Sequence, residues 1–316
     1  MPVFVNYFAD DTRSSPLNLT VARVVFAGYL IWKTVWYDWG LFAAVPYIGV
    51  DNYSFLVPSN PTVLVVEKWL LIGLLVAVML GYRLGVTTFL SAVLVAHLGA
   101  VRYTLVTSGG TTSLFFSAYF LIMLGLYREQ DVLTLDAVRH SPQALRDGGT
   151  ETSETTLRRA PSLIADLRTR VESPSRRSYP MTALKWNLVI IALVYFGSGF
   201  DKLVSGGLAW AAVDNLSRIL LVWNTLYAHP IPIGGAMLEY PLLISAAAVG
   251  TLVLEVGLLV AVLARAPITL FIVGILSMQI VIALAVGPFF FDVFAFFAMF
   301  VAWDTIYERV DIWRGS

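Results

Sequence analysis

Two ionisable side chains lie too deep in apolar runs to reach water along their own stems. Glu255 sits in "GTLVLEVGLLVAVL" with apolar residues for two turns on either side, and His97 sits midway through "SAVLVAHLGAVRY". A charge near the centre of a bilayer-crossing helix costs about 2.5–3.5 kcal/mol on insertion scales, so each needs a partner, a neutral state or a task. Glu255 is either carried neutral or paired with a cation such as Lys202 or Arg102. His97 is either a neutral imidazole bonded to a neighbouring helix or a proton carrier or ligand. No second His lies three or four residues from it, so metal-ligand spacing is absent. The densest chemistry is in "YFGSGFDKLVSGGLAWAAVDNL", residues 195–216, where glycines interrupt a helix, Asp201 precedes Lys202, and Trp210 follows as an interface residue. Broken backbone at membrane depth is tolerated where it lines a cavity or is buried in protein, so this segment is the expected wall of a cavity. A lysine there is suited to act as a base. The plainer alternative is an anchor lysine paired with Asp201 or a lipid phosphate.

The elements that must position these groups follow from composition. Of 316 residues, 58% are apolar and 13% charged, against about 45–50% and about 25% in a soluble domain. The 21 Lys and Arg balance 21 Asp and Glu, leaving no basic excess for nucleic acid. With no cysteine there is no disulfide framework, thiolate metal site or thiol nucleophile. The chain reads as an all-α, polytopic integral membrane helix bundle. Eight runs approach the roughly 20 residues that cross about 30 Å of hydrocarbon: 18–39, 62–81, 84–106, 112–127, 183–200, 241–264, 267–286 and 288–306. Residues 1–127 and 183–316 form its membrane parts. Residues 128–182, polar and holding nine arginines, form a loop between them. Within that loop "SLIADLRTRV" has the spacing of a short surface helix, or is a linker with a chance apolar stripe.

A ninth apolar stretch, 208–228, is decided by charge. With eight spans, Arg13, Arg83, the nine loop arginines, Arg265, Arg309 and Arg314 share one side, which the positive-inside rule makes cytoplasmic together with both termini. Lys202 and Arg218 alone stand on the other side. A ninth span would move Arg265 and the C-terminal arginines outside, so 208–228, within a broken segment near 200–228, is read as re-entrant or interfacial. The first span is read as an uncleaved anchor of a multi-pass cell-membrane protein. Arg23, Lys33, Glu67, Lys68, Arg102 and Lys185 lie near span ends, where long side chains reach headgroups. Asp292 is read as a cap, and Gln279 and Asn215 as helix-packing contacts. The four spans before the loop and the four after it share no motif, so an inverted-repeat transporter is not signalled.

The stretch "LVYFGSGFDKLVSGGLAWAAVDNL" resembles a pattern of the horizontally transferred transmembrane (HTTM) domain of vitamin K-dependent gamma-carboxylases: an aromatic, a small-residue pair, Lys-Leu, then Trp. "ARVVFAGYLIWKTVWY", "SGGTTSLFFSAYFLIMLG", "LLISAAAVGTLVLEVGLLVAVL" and "AVGPFFFDVFAFFAMFVAWDT" are similar to other parts of that domain. By position Lys202 matches the carboxylase lysine taken as the base that deprotonates vitamin K hydroquinone. The resemblance implies a quinone or hydroquinone as ligand with Lys202 as its base; taken together with the buried ionisable groups read above, Lys202, Glu255 and His97 are the catalytic candidates, and Trp210 and Asp201 are the groups expected against the cofactor. It also has departures. Ser277-Met278-Gln279 stand where the carboxylases carry a His, and no large extracytoplasmic domain follows, so a bare HTTM protein fits better than a protein carboxylase. The alternative is a non-catalytic lipid- or quinone-binding or assembly protein. The implied partners are the bilayer and a lipophilic quinone.

Overall fold

A computed structural model describes residues 16–36, 57–58, 60–105, 112–131, 133–135, 182–226, 232–285, 291–303 and 306. Those residues are helical with short connections, and no strand occurs among them. The expected surface helix near 163–171, most of the 128–182 loop, and the connections at 40–56 and 107–111 lie outside them.

The described residues fall into two compact units, one between Ser14 and Ala183 together with those after Ala302, the other between Leu184 and Ala302. The first is built from α1 (Pro16–Trp36), α2 (Pro61–Leu80), α3 (Leu84–Leu105) and α4 (Thr112–Leu126). α1 packs on α2, α2 on α3 and α3 on α4. Phe26 of α1 meets Phe120 of α4 edge-on at 4.4 Å between centroids, both fully buried, which draws the first helix to the last. Asn60 caps α2 through its side chain, 2.9 Å from the Thr62 N–H, with Pro61 at the first helical position, where its missing N–H is harmless. Gly81 ends the helix in the left-handed conformation at φ 72°, where a side chain would also strike the Thr134 backbone.

The end of α2 corrects one expectation. Arg23 does not reach for headgroups; it is buried at 1% exposure. Its Nε donates to Asp131 Oδ2 at 2.6 Å, Nη2 to the Leu133 carbonyl at 2.7 Å, and Nη1 to the carbonyls of Val78, at 2.8 Å, and Met79. Thr20 donates to the other Asp131 oxygen at 2.6 Å. One guanidinium thus neutralises a buried carboxylate and donates to carbonyls at the end of α2, adding a second donor to that of Val78, which also accepts from the Gly81 N–H at 2.9 Å. Lys33 is buried as well, with Nζ 2.8 Å from the Tyr29 hydroxyl. Glu67, also expected at the headgroups, instead bonds His97 across α2 and α3.

The second unit holds α5 (Thr182–Gly206), a 3-10 turn (Gly207–Ala211), α6 (Val213–Leu226), α7 (Pro232–Met237), α8 (Pro241–Leu263), α9 (Thr269–Ala285) and α10 (Phe291–Phe297). Leu220 of α6, Met237 of α7, Ile244 of α8 and Ala285 of α9 form one buried cluster, with Val213 and Leu216 against it. These α6 residues recur at helical spacing, one apolar stripe on a helix that also carries Asp214, Asn215 and Arg218. Of the expected last span, 288–306, the described residues form α10 and a 3-10 turn at Ala298–Phe300 rather than one continuous α-helix.

Among the described residues, five helical stretches are long and apolar enough to cross a bilayer: Leu17–Trp36, Thr62–Leu80, Leu84–Arg102, Leu184–Ala211 and Pro241–Leu263. Leu114–Leu126 and Thr269–Ala285 are apolar but shorter. Outward-facing Trp69, Phe89, Leu242, Leu263 and Leu270 are each more than half exposed, a surface matched to hydrocarbon rather than water.

Candidate functional site

The site grows from the crossing of α5 and α8. Gly199 lets the two helices approach: a Cβ there would lie 2.9 Å from Val256 Cγ2 and 3.0 Å from Glu255 Cβ, closer than side chains pack. One turn on, Lys202 reaches across, and its Nζ sits 2.5 Å from both carboxylate oxygens of Glu255. Ser198 donates to Glu255 Oε1 at 3.3 Å. Tyr195, Ser198 and Lys202 therefore share one face of α5, spaced by three and four residues.

The helix break after Lys202 brings a roof over the pair. Gly206 and Gly207 end α5, Gly207 at φ 56° in the left-handed region, where a side chain would be strained. The 3-10 turn that follows carries Trp210 back until its ring centroid is 5.0 Å from Lys202 Nζ. Asn215 fixes that turn, its amide nitrogen donating to the Trp210 carbonyl at 3.1 Å. An ammonium over an indole face gains about 0.5–2 kcal/mol. Lys202 is held from two sides, by a carboxylate and a π face, while its side chain keeps 22% of its exposure and that of Glu255 only 7%.

Farther along the same face, Tyr195 accepts a hydrogen bond from Gln279 Nε2 of α9 at 3.4 Å and stacks on Phe297 of α10, centroids 6.5 Å apart.

Of the residues singled out from sequence, the structure brings together Lys202, Glu255 and Trp210. Asp201 is exposed and points elsewhere, its carboxylate accepting from Ser205 at 3.4 Å; adjacent positions on a helix diverge by about 100°. His97 belongs to the other unit, where its Nδ1 is 2.8 Å from Glu67 Oε2. The participation of Tyr195 and Ser198 was missed, although their spacing from Lys202 was readable. Among the described residues no group of three or more His, Asp or Glu side chains is arranged to hold a metal ion. No family model, curated protein or solved structure matches the chain.

Proposed function

We propose that the chain is an HTTM-like, multi-pass cell-membrane protein in which Lys202 and Glu255 act together as the base for a lipophilic acid of the reduced-quinone class. The observation that carries this reading is the Lys202–Glu255 pair beneath Trp210, at the segment whose sequence resembles the carboxylase motif. A Lys–Glu ion pair is neutral overall. Taking the proton of a quinol O–H leaves an ammonium beside a carboxylic acid, with the quinolate against them. The O–H bond breaks, an O–H or N–H bond forms on the pair, and site plus ligand stays neutral, which avoids stranding net charge at low dielectric. Trp210 offers an indole ring beside which a ligand ring would lie, whereas the Asp201 carboxylate, turned to Ser205, has no contact with the pair to support a role against the ligand. His97, bonded to Glu67, is left as a separate proton-carrying candidate.

The test is Lys202→Met in purified protein, assayed for quinol oxidation and carbon dioxide incorporation. General-base catalysis contributes about 10²–10⁴-fold, so a fall of that order is expected. Undiminished turnover in the variant would overturn the role.

A second reading is favoured by the completeness of the pair. Lys202 with two carboxylate contacts and a π face is already satisfied without a ligand, as in a non-catalytic lipid- or quinone-binding or assembly protein. Native mass spectrometry of gently extracted protein separates the two. A quinone retained by the parent and lost with Lys202→Met supports a site; no ligand and an unchanged variant support the structural role.

We further propose eight spans, both termini cytoplasmic, and residues 207–226 as a re-entrant segment. Supporting this, α6 has 14 residues, about 21 Å of helix against about 30 Å of hydrocarbon. The segment passes from Trp210 beside the Lys202–Glu255 pair to Leu220 beside Ile244, which is about 16 Å along α8.

A further inference from the structure

Gln279 is buried, 7% exposed, and only half of its amide is used. Its nitrogen donates to the Tyr195 hydroxyl, while Oε1 has no hydrogen-bond partner among the described residues. Buried amide oxygens are almost always paired, so an orphan calls for a donor from something not yet in place. The Tyr195 oxygen, receiving a bond from Gln279, keeps its own proton to give. Side by side, the two residues present one acceptor and one donor, the complement of an alcohol or phenol hydroxyl, which both gives and receives. Exchanging the amide's oxygen and nitrogen changes the roles but not the outcome, because one end of the amide still bonds Tyr195 and the other still lacks a partner.

The placement of this second polar point relative to the first narrows the ligand. Tyr195 and Lys202 are seven residues apart on α5, close to two full turns, so they share a face and lie about 10 Å apart along the axis. A six-membered aromatic ring with oxygens at opposite positions, plus a hydrogen bond of about 2.8 Å at each end, spans about 11 Å. A ring with one oxygen meets only one of the two points.

Resting on the function proposed above, we infer that Gln279 and Tyr195 hold the far oxygen of the ligand whose near oxygen lies at Lys202 and Glu255, selecting para-dioxygenated aromatic rings over monophenols. Gln279 is the specificity residue in this arrangement. It makes no bond to the reacting proton. Its amide reads whether a second hydroxyl is present.

The experiment measures anaerobic equilibrium binding to the full-length chain in detergent, with 1,4-naphthohydroquinone and 1-naphthol as the two probes. The parent protein is expected to bind the diol more tightly by about tenfold, the worth of one satisfied buried hydrogen bond. Gln279→Leu is expected to bring the two affinities together while leaving that for 1-naphthol unchanged, and Tyr195→Phe to lower the preference in part. If Gln279→Leu does not fold, Gln279→Met, similar in shape and volume but without the amide, takes its place. The folded state of each variant is checked by its unliganded melting temperature, and the ratio in the parent stands without any variant. A preference that survives Gln279→Leu overturns the inference. So does a parent that binds both probes equally through Lys202, in which case the base reading stands alone. A parent that binds neither probe removes that reading and this one together.

Discussion

Lys202 and Glu255 are worth more as a pair than either is alone. A buried ion pair broken on one side strands a charge and costs about 3–5 kcal/mol, whereas replacing both members with apolar groups is often neutral. Glu255→Leu should therefore lower the melting temperature of the detergent-solubilised protein more than the double variant Lys202→Met with Glu255→Leu. The reverse order would show that the pair is not coupled. Arg23 sets a harder case, because its guanidinium serves Asp131 and three carbonyls at once. Arg23→Leu should cost about 3–5 kcal/mol, read as a large drop in thermal stability, and Asp131→Asn a smaller one, since the amide still accepts from Thr20. The depth of Glu255 and His97 and the need for a protein partner were legible in the sequence. That Lys202 serves Glu255 rather than its neighbour Asp201 follows from helix geometry only once α8 is known to cross α5 at Gly199. The role of Arg23 was not legible, because Asp131 lies 108 positions away and nothing local announces it.

Element ends do as much as element interiors. The α5–α8 crossing depends on a missing side chain: Gly199→Leu should force the helices apart, at about 1–3 kcal/mol of overpacking cost. It should also abolish the Lys202-dependent binding of 1,4-naphthohydroquinone, while Gly197→Leu, where a Cβ would meet nothing within 4 Å, should leave binding near that of the parent. At the other glycine terminus, Gly81→Ala combines a positive φ with a Cβ 2.7 Å from the Thr134 Cα. The expected loss exceeds about 1 kcal/mol, measurable as lowered thermal stability with ligand binding in the other unit intact. Apolar run length placed most of the long helices within a few residues, but the run expected to end at 200 continues as α5 to Gly206: of the four glycines expected to interrupt it, Gly197 and Gly199 lie inside the helix and the break falls at Gly206 and Gly207. What run length did not give was the fate of the chain after the break, because a 3-10 turn that returns Trp210 over Lys202 depends on a left-handed Gly207 and on Asn215 tying the turn.

At the scale of the whole molecule the property to measure is which side each connection faces. The absence of cysteine makes this directly measurable with single-cysteine variants and a membrane-impermeant thiol reagent. With 207–226 re-entrant, Arg265→Cys should label from the cytoplasmic side and Asn60→Cys from the opposite one, with Arg218→Cys matching Asn60→Cys. Labelling of Arg265→Cys from the Asn60 side would instead make 207–226 a ninth crossing. The positive-inside reading rests on where 21 Lys and Arg fall, a global property that needs no packing information.

The sequence by itself determined the helical class of fold and its compatibility with a bilayer, because transfer into hydrocarbon is a sum over side chains and their order along the chain, and such sums need no tertiary contacts. It also determined which few charges had to answer for their depth. Only the tertiary structure decided their partners: Lys202 with Glu255 under Trp210, His97 with Glu67, Arg23 with Asp131, and Gln279 with half its amide unused. Each pairing is a distance between helices far apart in sequence. A buried charge specifies that it must be met, and only the packing of helices specifies by what.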